Sequence, residues 1–274
     1  MDKALARWLA VREQADTAAR STRLTQAMAD RLRGRDPLRI VDLGTGAGSN
    51  VRYLVERLPA RDQQWLIVDR SALLLAEART RIAGAGVGRD RRIEIETHEL
   101  DLNAIDEADI FAGRDLVTAS ALLDLVSERW LHAVAEQSRA AGAAALFTIT
   151  YTGRSDCTPA DEDDELVIGL FNEHQRRDKG LGGPAAGPRA TEAAVRAFTA
   201  AGYHVDTERS DWQLGPEDTH MQRELIDGWA SAATETDPRA AERIAAWRTR
   251  RLQLVADGRA HAIVGHDDLA AWLR

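Results

Sequence analysis

Three glycines and a carboxylate lie close together near residue 45 of the chain. The stretch Asp42-Leu43-Gly44-Thr45-Gly46-Ala47-Gly48 directly follows an apolar run and precedes a segment with helical spacing at 49–58. Glycines in a turn between a strand and a helix let the backbone come close to a ligand and point free N–H groups at it. The stretch therefore predicts a ligand site at this turn, against the alternative of a tight turn that serves the fold alone.

Two common ligands of such turns fit the spacing poorly. A P-loop for nucleoside triphosphates ends in Gly-Lys-Ser/Thr, whereas the turn here reads GAGSN and has no lysine. A dinucleotide turn reads G-x-G-x-x-G, and Ser49 stands where its third glycine would be. An NAD-dependent oxidoreductase that uses Gly44, Gly46 and Asp69 stays open as an alternative.

The elements that must position this turn alternate between strands and helices. Short apolar runs are separated by segments with helical spacing, and the runs are 38–43, 64–69, 92–100, 115–120 and 144–150. This alternation predicts right-handed crossover units and a doubly wound, mostly parallel α/β sheet with helices on both faces. In such sheets ligands bind outside the carboxyl ends of the strands.

The remaining segments predict helical additions to this core. We expect a helical amino-terminal cap over 1–35 and a core over 36–274. Within the core, the rhythm breaks at 152–190, where we expect a lid with a helix at 164–178, and again at 214–257, where we expect a helical insertion. The stretch 260–273 is expected to give a last strand and a terminal helix.

The glycine stretch resembles the first motif of the class I S-adenosylmethionine-dependent methyltransferases, an acidic residue followed by G-x-G-x-G. The resemblance covers roughly residues 38–151 and, more loosely, the closing strands. It implies a Rossmann-like, seven-stranded sheet that ends in an antiparallel hairpin, for which 203–210 and 260–265 are the candidates. It also implies S-adenosyl-L-methionine as the cofactor.

The same resemblance implies which residues hold the cofactor. Asp69 ends the second strand and is the expected partner of both ribose hydroxyls, since a carboxylate accepts two hydrogen bonds at once. Asp101 and Leu102 are expected at the adenine, and Ser120 at the carboxyl edge of the fourth strand. The full set of expected cofactor-binding residues is Arg20, Asp42, Gly44, Thr45, Gly46, Asn50, Asp69, Arg70, Asp101, Leu102 and Ser120.

Arg20 has a second interpretation. Arg12, Asp16 and Arg20 fall at i, i+4 spacing on one face of a predicted helix. They form either a solvent-exposed ion ladder, worth about 0.3–0.5 kcal/mol per pair, or a device in which Arg20 closes over the cofactor and binds its carboxylate.

Charge and motifs point to a small-molecule acceptor. The net charge of −8 disfavours a nucleic acid partner. The Asn/Asp-Pro-Pro-aromatic motif of the family's amino-methylating nucleic acid enzymes is replaced by SALLDL at 120–125, and Cys157 lacks the Pro-Cys setting of the cytosine-C5 enzymes. In this family, helical additions typically cover an acceptor pocket. We therefore expect in-line methyl transfer to an oxygen or nitrogen of a metabolite, with a catalytically silent cofactor-binding protein as a further alternative.

Two residues are candidates for catalysis at the acceptor. His174 is a candidate base because imidazole titrates near neutrality, against the alternative of an exposed helix histidine. Asp124 either orients an acceptor amine or caps the helix predicted at 127–141. Trp212 and the stripe Met221, Leu225 and Trp229 are expected to pack in the core or against another subunit, so a homodimer is a further expectation.

No run of apolar residues reaches the length of a membrane span, and the amino terminus lacks the apolar core of a signal peptide. The single cysteine excludes an internal disulfide and any zinc site built on paired cysteines. A cytoplasmic location is the expectation that follows.

Overall fold

A computed structural model describes residues 2–84, 91–107 and 109–273 of the chain. Two helices open it, α1 (Asp2–Ala19) and α2 (Thr22–Arg31), as the amphipathic spacing predicts. Ser21 separates them as the N-cap of α2, its hydroxyl accepting a hydrogen bond from the N–H of Leu24 at 2.9 Å.

Strands and helices then alternate up to the middle of the chain. They are β1 (Leu38–Leu43), α3 (Ser49–Val55), β2 (Asp62–Asp69), α4 (Ala72–Gly84), β3 (Arg92–Glu99), β4 (Leu116–Ser120), α5 (Glu128–Ala141) and β5 (Ala144–Thr158). The second half adds α6 (Asp164–Gln175), α7 (Ala190–Ala200), β6 (His204–Arg209), β7 (Trp212–Leu214), α8 (Thr219–Thr236), α9 (Ala241–Ala256) and β8 (His261–Trp272).

The sheet has the predicted doubly wound, mostly parallel topology. Its order is β3-β2-β1-β4-β5-β8-β6, and the first five strands run parallel. β8 lies antiparallel between β5 and β6, and the short β7 pairs with β8 as an eighth strand beside the predicted seven. The parallel strands end together at one edge, which carries the glycine turn.

The predicted terminal helix is wrong, and so is one partner of the predicted hairpin. β6 pairs with residues 267–272, whereas residues 262–264 pair with β7 and with the end of β5. Leu269 and Ala271 are buried on one face of the sheet and Ala270 on the other, because both faces are covered there. A short apolar run of this kind suits a buried strand or a helix equally well in sequence, and the tertiary position decides.

β5 is longer than the sequence suggests. It continues to Thr158, where residues 155–158 pair with 261–264 of β8, so the sheet includes the first residues of the segment 152–190. The helix in that segment, α6, ends at Gln175.

Three hydrophobic clusters hold these layers together. Two lie on opposite faces of the parallel strands. The third joins α6, α8 and α9 to the far halves of β5 and β8, and its large members include Trp212, Trp229 and Trp247. α1 packs against α4, β7 and α8, so it spans the edge at which the parallel strands end. Among the helices of the described ranges, none is long and apolar enough to cross a membrane.

Candidate active site

The glycine turn adopts a backbone conformation that suits only glycine. Gly44, Gly46 and Gly48 have φ values of +63°, +55° and +80°. A Cβ added to Gly46 would lie 2.9 Å from Leu9 Cδ1 of α1. Thr45 fastens the turn to β2, since its N–H donates to the Val68 carbonyl at 3.0 Å and its hydroxyl accepts from the Val68 N–H at 3.2 Å.

Asp69 is held in place by two backbone donors. Its Oδ2 accepts the N–H of Gly46 at 2.9 Å, and its Oδ1 accepts the N–H of Ser71 at 3.0 Å. The side chain is half-buried, and each carboxylate oxygen keeps a second lone pair. The carboxylate is therefore oriented by the turn and still able to accept hydrogen bonds.

A buried polar network lies beneath the turn. Arg20 donates to Asn50 Oδ1 at 2.5 Å and to Ser120 Oγ at 3.1 Å, and Asn50 donates to Asp42 Oδ1 at 2.6 Å. Burial raises the pKa of Asp42 to about 6, while the hydrogen bond from Asn50 opposes the shift. Burial also lowers the pKa of Arg20, against the nearby charge of Asp16.

The exposed ion ladder is excluded by this burial. Arg20 is 4% exposed and Asp16 is 1% exposed. Asp16 instead accepts Arg12 Nε at 3.0 Å and the indole N–H of Trp212 at 3.0 Å. α1 is thus joined to β7 by a buried carboxylate.

A cavity of about 820 Å³ opens at the carboxyl ends of the parallel strands. Nine of the predicted site residues line it, namely Gly44, Gly46, Asp69, Arg70, Asp101, Leu102, Ser120, Asp124 and His174. The other four, Arg20, Asp42, Thr45 and Asn50, are buried behind its wall. The predicted residues therefore come together in two shells around one cavity.

The far half of the cavity is lined by rings. They are Trp8, Tyr151, Phe171, Trp212, Trp229 and the imidazole of His266. The expected core packing of Trp212 and of the stripe Met221, Leu225 and Trp229 is confirmed, and Trp212, Leu225 and Trp229 line the cavity as well.

Asp124 lies in this far half, in the short 3₁₀ turn Leu123–Leu125 that follows β4. Its side chain is buried, which raises the pKa of the carboxyl to about 6, and the charges of Arg12 and Lys179 oppose the shift. The alternative role as a helix cap is wrong, because Ser127 is the N-cap of α5 and accepts the N–H of Trp130 at 3.1 Å.

His174 is engaged at both ring nitrogens. Nδ1 lies 3.3 Å from Lys179 Nζ, and Nε2 lies 3.2 Å from Glu235 Oε2. An ammonium only donates, so Nδ1 is the acceptor and Nε2–H faces the carboxylate. His174 is therefore held between α6 and α8 rather than exposed, and taking up a proton at Nδ1 requires Lys179 to move away.

His266 is a site residue that sequence reasoning missed. It is 4% exposed, and its Nδ1–H donates to the carbonyl of Val264 at 2.9 Å. Burial lowers its pKa to about 3, and the charge of Arg12 adds to the shift. The ring is therefore neutral near pH 7, with the lone pair on Nε2.

Two residues of the cavity wall have a strained backbone. Ala121 and Ile149 have φ values of +51° and +57°, a region that β-branched residues such as isoleucine rarely adopt. The N–H of Ile149 donates to Asp268 Oδ1 at 2.8 Å, and Asp268 Oδ2 accepts the N–H of Ser21 at 2.8 Å. The buried Asp268 thus holds both the β5 irregularity and the start of α2.

Residues 40–142 match a family model described as a methyltransferase domain. This range contains the glycine turn, Asp69, Asp101 and Ser120, and its strands have the topology given above. Residues 40–142 of this chain therefore carry a methyltransferase domain. The oxidoreductase alternative is thereby set aside.

Solved structures support the same fold for this methyltransferase. A protein of Bacillus halodurans assigned as a methyltransferase aligns with a TM-score of 0.53 and 16% identity, over 92% of this chain and 98% of that one. Phosphoethanolamine N-methyltransferase 2 of Haemonchus contortus, solved with S-adenosyl-L-methionine, aligns with a TM-score of 0.50 and 15% identity, over 100% of this chain and 57% of that one. Among the curated proteins, none matches the sequence of this methyltransferase.

Proposed function

We propose that this methyltransferase transfers a methyl group to an oxygen or nitrogen of a small-molecule metabolite by in-line displacement. The observation that carries the proposal is that one cavity joins the glycine turn to a ring-lined chamber. Cofactor and acceptor then share one enclosed space, which is what alignment of a nucleophile with a methyl group requires.

The near half of the cavity fits the cofactor. Gly44 and Gly46 form a cradle that a side chain would fill, and Asp69 offers an oriented carboxylate for the ribose hydroxyls. Asp101 and Leu102 lie at the cavity edge. The exposed carboxylate of Asp101 suits the polar rim of an adenine, and the buried side chain of Leu102 suits its flat face. When bound, S-adenosyl-L-methionine supplies an electrophilic methyl group on a sulfonium leaving group.

The buried residues support this half from behind. Arg20 donates to Ser120, Asn50 donates to the carboxylate of Asp42, and the Thr45 hydroxyl donates to the backbone carbonyl of Asp42. We propose that Arg20 acts on the cofactor's carboxylate through Ser120. Arg70, which is exposed at the rim, contributes charge at the entrance.

The far half provides the groups that act on the acceptor. Asp124 is the proposed proton acceptor, since a buried carboxyl with a raised pKa is suited to general base catalysis. His174 is a second candidate for the base. Its backbone carbonyl accepts a hydrogen bond from Lys179 Nζ and so orients that side chain. Leu5, Trp8 and Leu9 of α1 cover the cavity and keep water from the reacting atoms.

The acceptor is proposed to be a metabolite rather than a polymer, since the net charge of −8 repels nucleic acids. The amino-terminal cap and the two insertions are proposed to build its pocket. A homodimer and a cytoplasmic location stay predictions.

Replacing Asp69 tests the cofactor half. Asp69→Ala removes the proposed ribose partner and is expected to weaken S-adenosylhomocysteine binding by about 2–4 kcal/mol. The readout is the rise in thermal unfolding temperature that the ligand produces in wild type and variant. The matched control is Glu99→Ala, because Glu99 faces Asp69 in strand register but does not line the cavity. Equal shifts in both variants would contradict the assignment of Asp69.

A further inference from the structure

The rings of the far half form one unbroken series. Trp8 contacts Trp212 edge-to-face at 6.2 Å between centroids, and Trp212 contacts His266 at 4.4 Å. The series continues through Tyr151 at 6.0 Å, Phe171 at 5.6 Å and Trp229 at 6.5 Å. Five of the 14 aromatic side chains of this chain line the cavity, so this wall is a concentration of aromatic surface.

Resting on the proposed function, we propose that the methyl acceptor is a flat aromatic or enolic molecule whose nucleophile is an acidic hydroxyl oxygen, deprotonated by Asp124 and held as an oxyanion by Arg12 and Lys179. A wall of rings suits a flat π-system because offset and edge-to-face contacts add to the gain from burying its surface. Two independent features of the wall, its charges and its hydrogen-bonding groups, narrow the class further.

The charges of the chamber disfavour a cationic acceptor. Aromatic cages also bind ammonium groups, but here the guanidinium of Arg12 already lies 6.0 Å from the Trp212 ring centroid. Lys179 lines the same cavity, and the Glu224 carboxylate is bound by Arg7 at 2.7 Å. An amine cation at the Asp124 carboxylate would therefore also meet the positive charges of Arg12 and Lys179.

The same two cations suit an oxyanion. Arg12 lines the cavity and is anchored to Asp16 through Nε, so this bond leaves its two terminal nitrogens available as donors. Lys179 Nζ is anchored by the carbonyl of His174 at 3.1 Å. The charges of Arg12 and Lys179 both act on Asp124. A hydroxyl that lies beside this carboxylate would therefore have its ionised form stabilised by the same two charges.

The proton step is local and balanced. The hydroxyl proton passes to one carboxylate oxygen of Asp124, and the electron pair of the broken O–H bond stays on the acceptor oxygen as the nucleophile. The cations make the hydroxyl more acidic because they favour its charged form. His266, a neutral ring with a lone pair on Nε2, can accept a hydrogen bond from a second donor group of the acceptor.

The ring preference is tested on the complex with S-adenosylhomocysteine. We would compare by calorimetry 2-naphthol, 2-decalol, which has the same carbon skeleton without π-electrons, and benzyltrimethylammonium. Expected is naphthol binding about tenfold tighter than decalol, with a smaller ratio in Phe171→Leu, which removes one ring from the series. Equal binding of the two alcohols, absence of naphthol binding, or preferred binding of the ammonium would overturn the proposal.

The oxyanion is tested with 4-nitrophenol, whose ionised form has its own absorbance band. In the same complex its apparent ionisation constant is expected to rise about tenfold, and this rise should be lost in Lys179→Gln. The control is Arg177→Gln, which removes an equal charge from the same segment but bonds to Glu235 and Thr236 outside the cavity. An unchanged ionisation constant in wild type, or equal effects of both variants, would overturn the oxyanion assignment.

These outcomes are separable from failure of the proposed function. If S-adenosylhomocysteine binds and the aromatic probes show no preference, only the acceptor class is wrong. If S-adenosylhomocysteine does not bind, both proposals fail.

Discussion

Gly46 shows how one residue determines what the turn can hold. Its φ of +55° disfavours any other residue, and an added Cβ would lie 2.9 Å from Leu9 Cδ1, so Leu9 of α1 would have to shift. Gly46→Val should therefore push α1 away from the turn and lower S-adenosylhomocysteine affinity by about tenfold or more, since the strain alone is worth roughly 1–3 kcal/mol. Calorimetry measures the affinity for S-adenosylhomocysteine. The control is Gly84→Val, because a Cβ added to Gly84 meets nothing within 4 Å. Normal affinity in Gly46→Val would mean that the turn serves the fold alone.

The ionised carboxylate of Asp124 should lower the free energy of unfolding. Its folded-state pKa of about 6 lies above its unfolded value of 3.8, so the folded state binds the proton more tightly. Folding is therefore penalised above pH 6, and the penalty disappears as the pH falls from 6 to below 3.8. The groups that act on it are Arg12 from α1, Tyr151 from β5 and Lys179 from the segment after α6.

Asp124→Asn should thus raise the free energy of unfolding by about 1–3 kcal/mol at pH 8 and change it little at pH 3.5. Denaturant unfolding at the two pH values measures the difference, with the exposed Asp101→Asn as the control. A loss of stability at pH 8 would show that the ionised carboxylate is a structural partner and not a penalised base.

The residues that line the near half of the cavity could be predicted from the sequence because they lie at the ends of successive strands. Gly44, Asp69, Asp101 and Ser120 each lie at the end of a strand that periodicity reveals or within two residues after it, so order along the chain gives proximity. His266 has no such local signal: its role depends on β8 lying beside β5.

At the scale of elements, Asp268 connects the amino-terminal helices to the sheet. Its carboxylate accepts the N–H groups of Ser21 and Ile149, both at 2.8 Å, and it is fully buried. Asp268→Ala should leave these donors unsatisfied and lower the free energy of unfolding by about 1–3 kcal/mol for each. It should also speed proteolysis within α1, since the link between α2 and β5 is lost.

Chemical denaturation and limited proteolysis check this prediction. The control is Asp267→Ala, because Asp267 is the neighbouring residue of β8 and its side chain is only half-buried. Equal effects of the two variants would mean that Asp268 contributes only as one more sheet residue.

Helices and strands were predictable from the sequence where a regular spacing of apolar residues extended over the whole element. The alternation up to α5 follows from the sequence, whereas the stretch 266–273 does not, because HDDLAAWL has a helical composition and is a strand only between β5 and β6. The far half of the cavity was missed for the same reason. Its walls come from α1, α6, α8, β7 and β8, which meet only in the folded chain.

At the scale of the whole molecule, a carboxylate cluster fastens the start of α6 to α9. Arg250 donates to both oxygens of Asp161 at 2.7 Å, and Arg251 and Trp247 donate to Asp164 Oδ1 at 2.9 and 2.8 Å. Because α6 and α8 carry Phe171 and Trp229 of the far chamber, this attachment supports the acceptor pocket from outside.

The cluster should be lost in acid. The hydrogen bonds from Arg250 lower the pKa of Asp161 to about 2, so its contribution is present above pH 3.8 and lost as the pH falls through 2. Arg250 is partly exposed, so Arg250→Gln should lower the free energy of unfolding only slightly at pH 7, and by less at pH 2. The matched control for denaturant unfolding is Arg248→Gln, which lies on the same helix as Arg250 and breaks an exposed pair with Asp227 of α8. A larger loss at pH 2 than at pH 7 would contradict the assignment.

The cavity at the glycine turn is proposed to hold the cofactor of a methyltransferase. Calorimetric titration of the purified protein with S-adenosylhomocysteine, with NADH as the comparison ligand, tests this proposal most directly. We predict binding of S-adenosylhomocysteine at one site per chain and no binding of NADH. Binding of NADH alone, or of neither ligand, would contradict the assignment of this cavity to the cofactor.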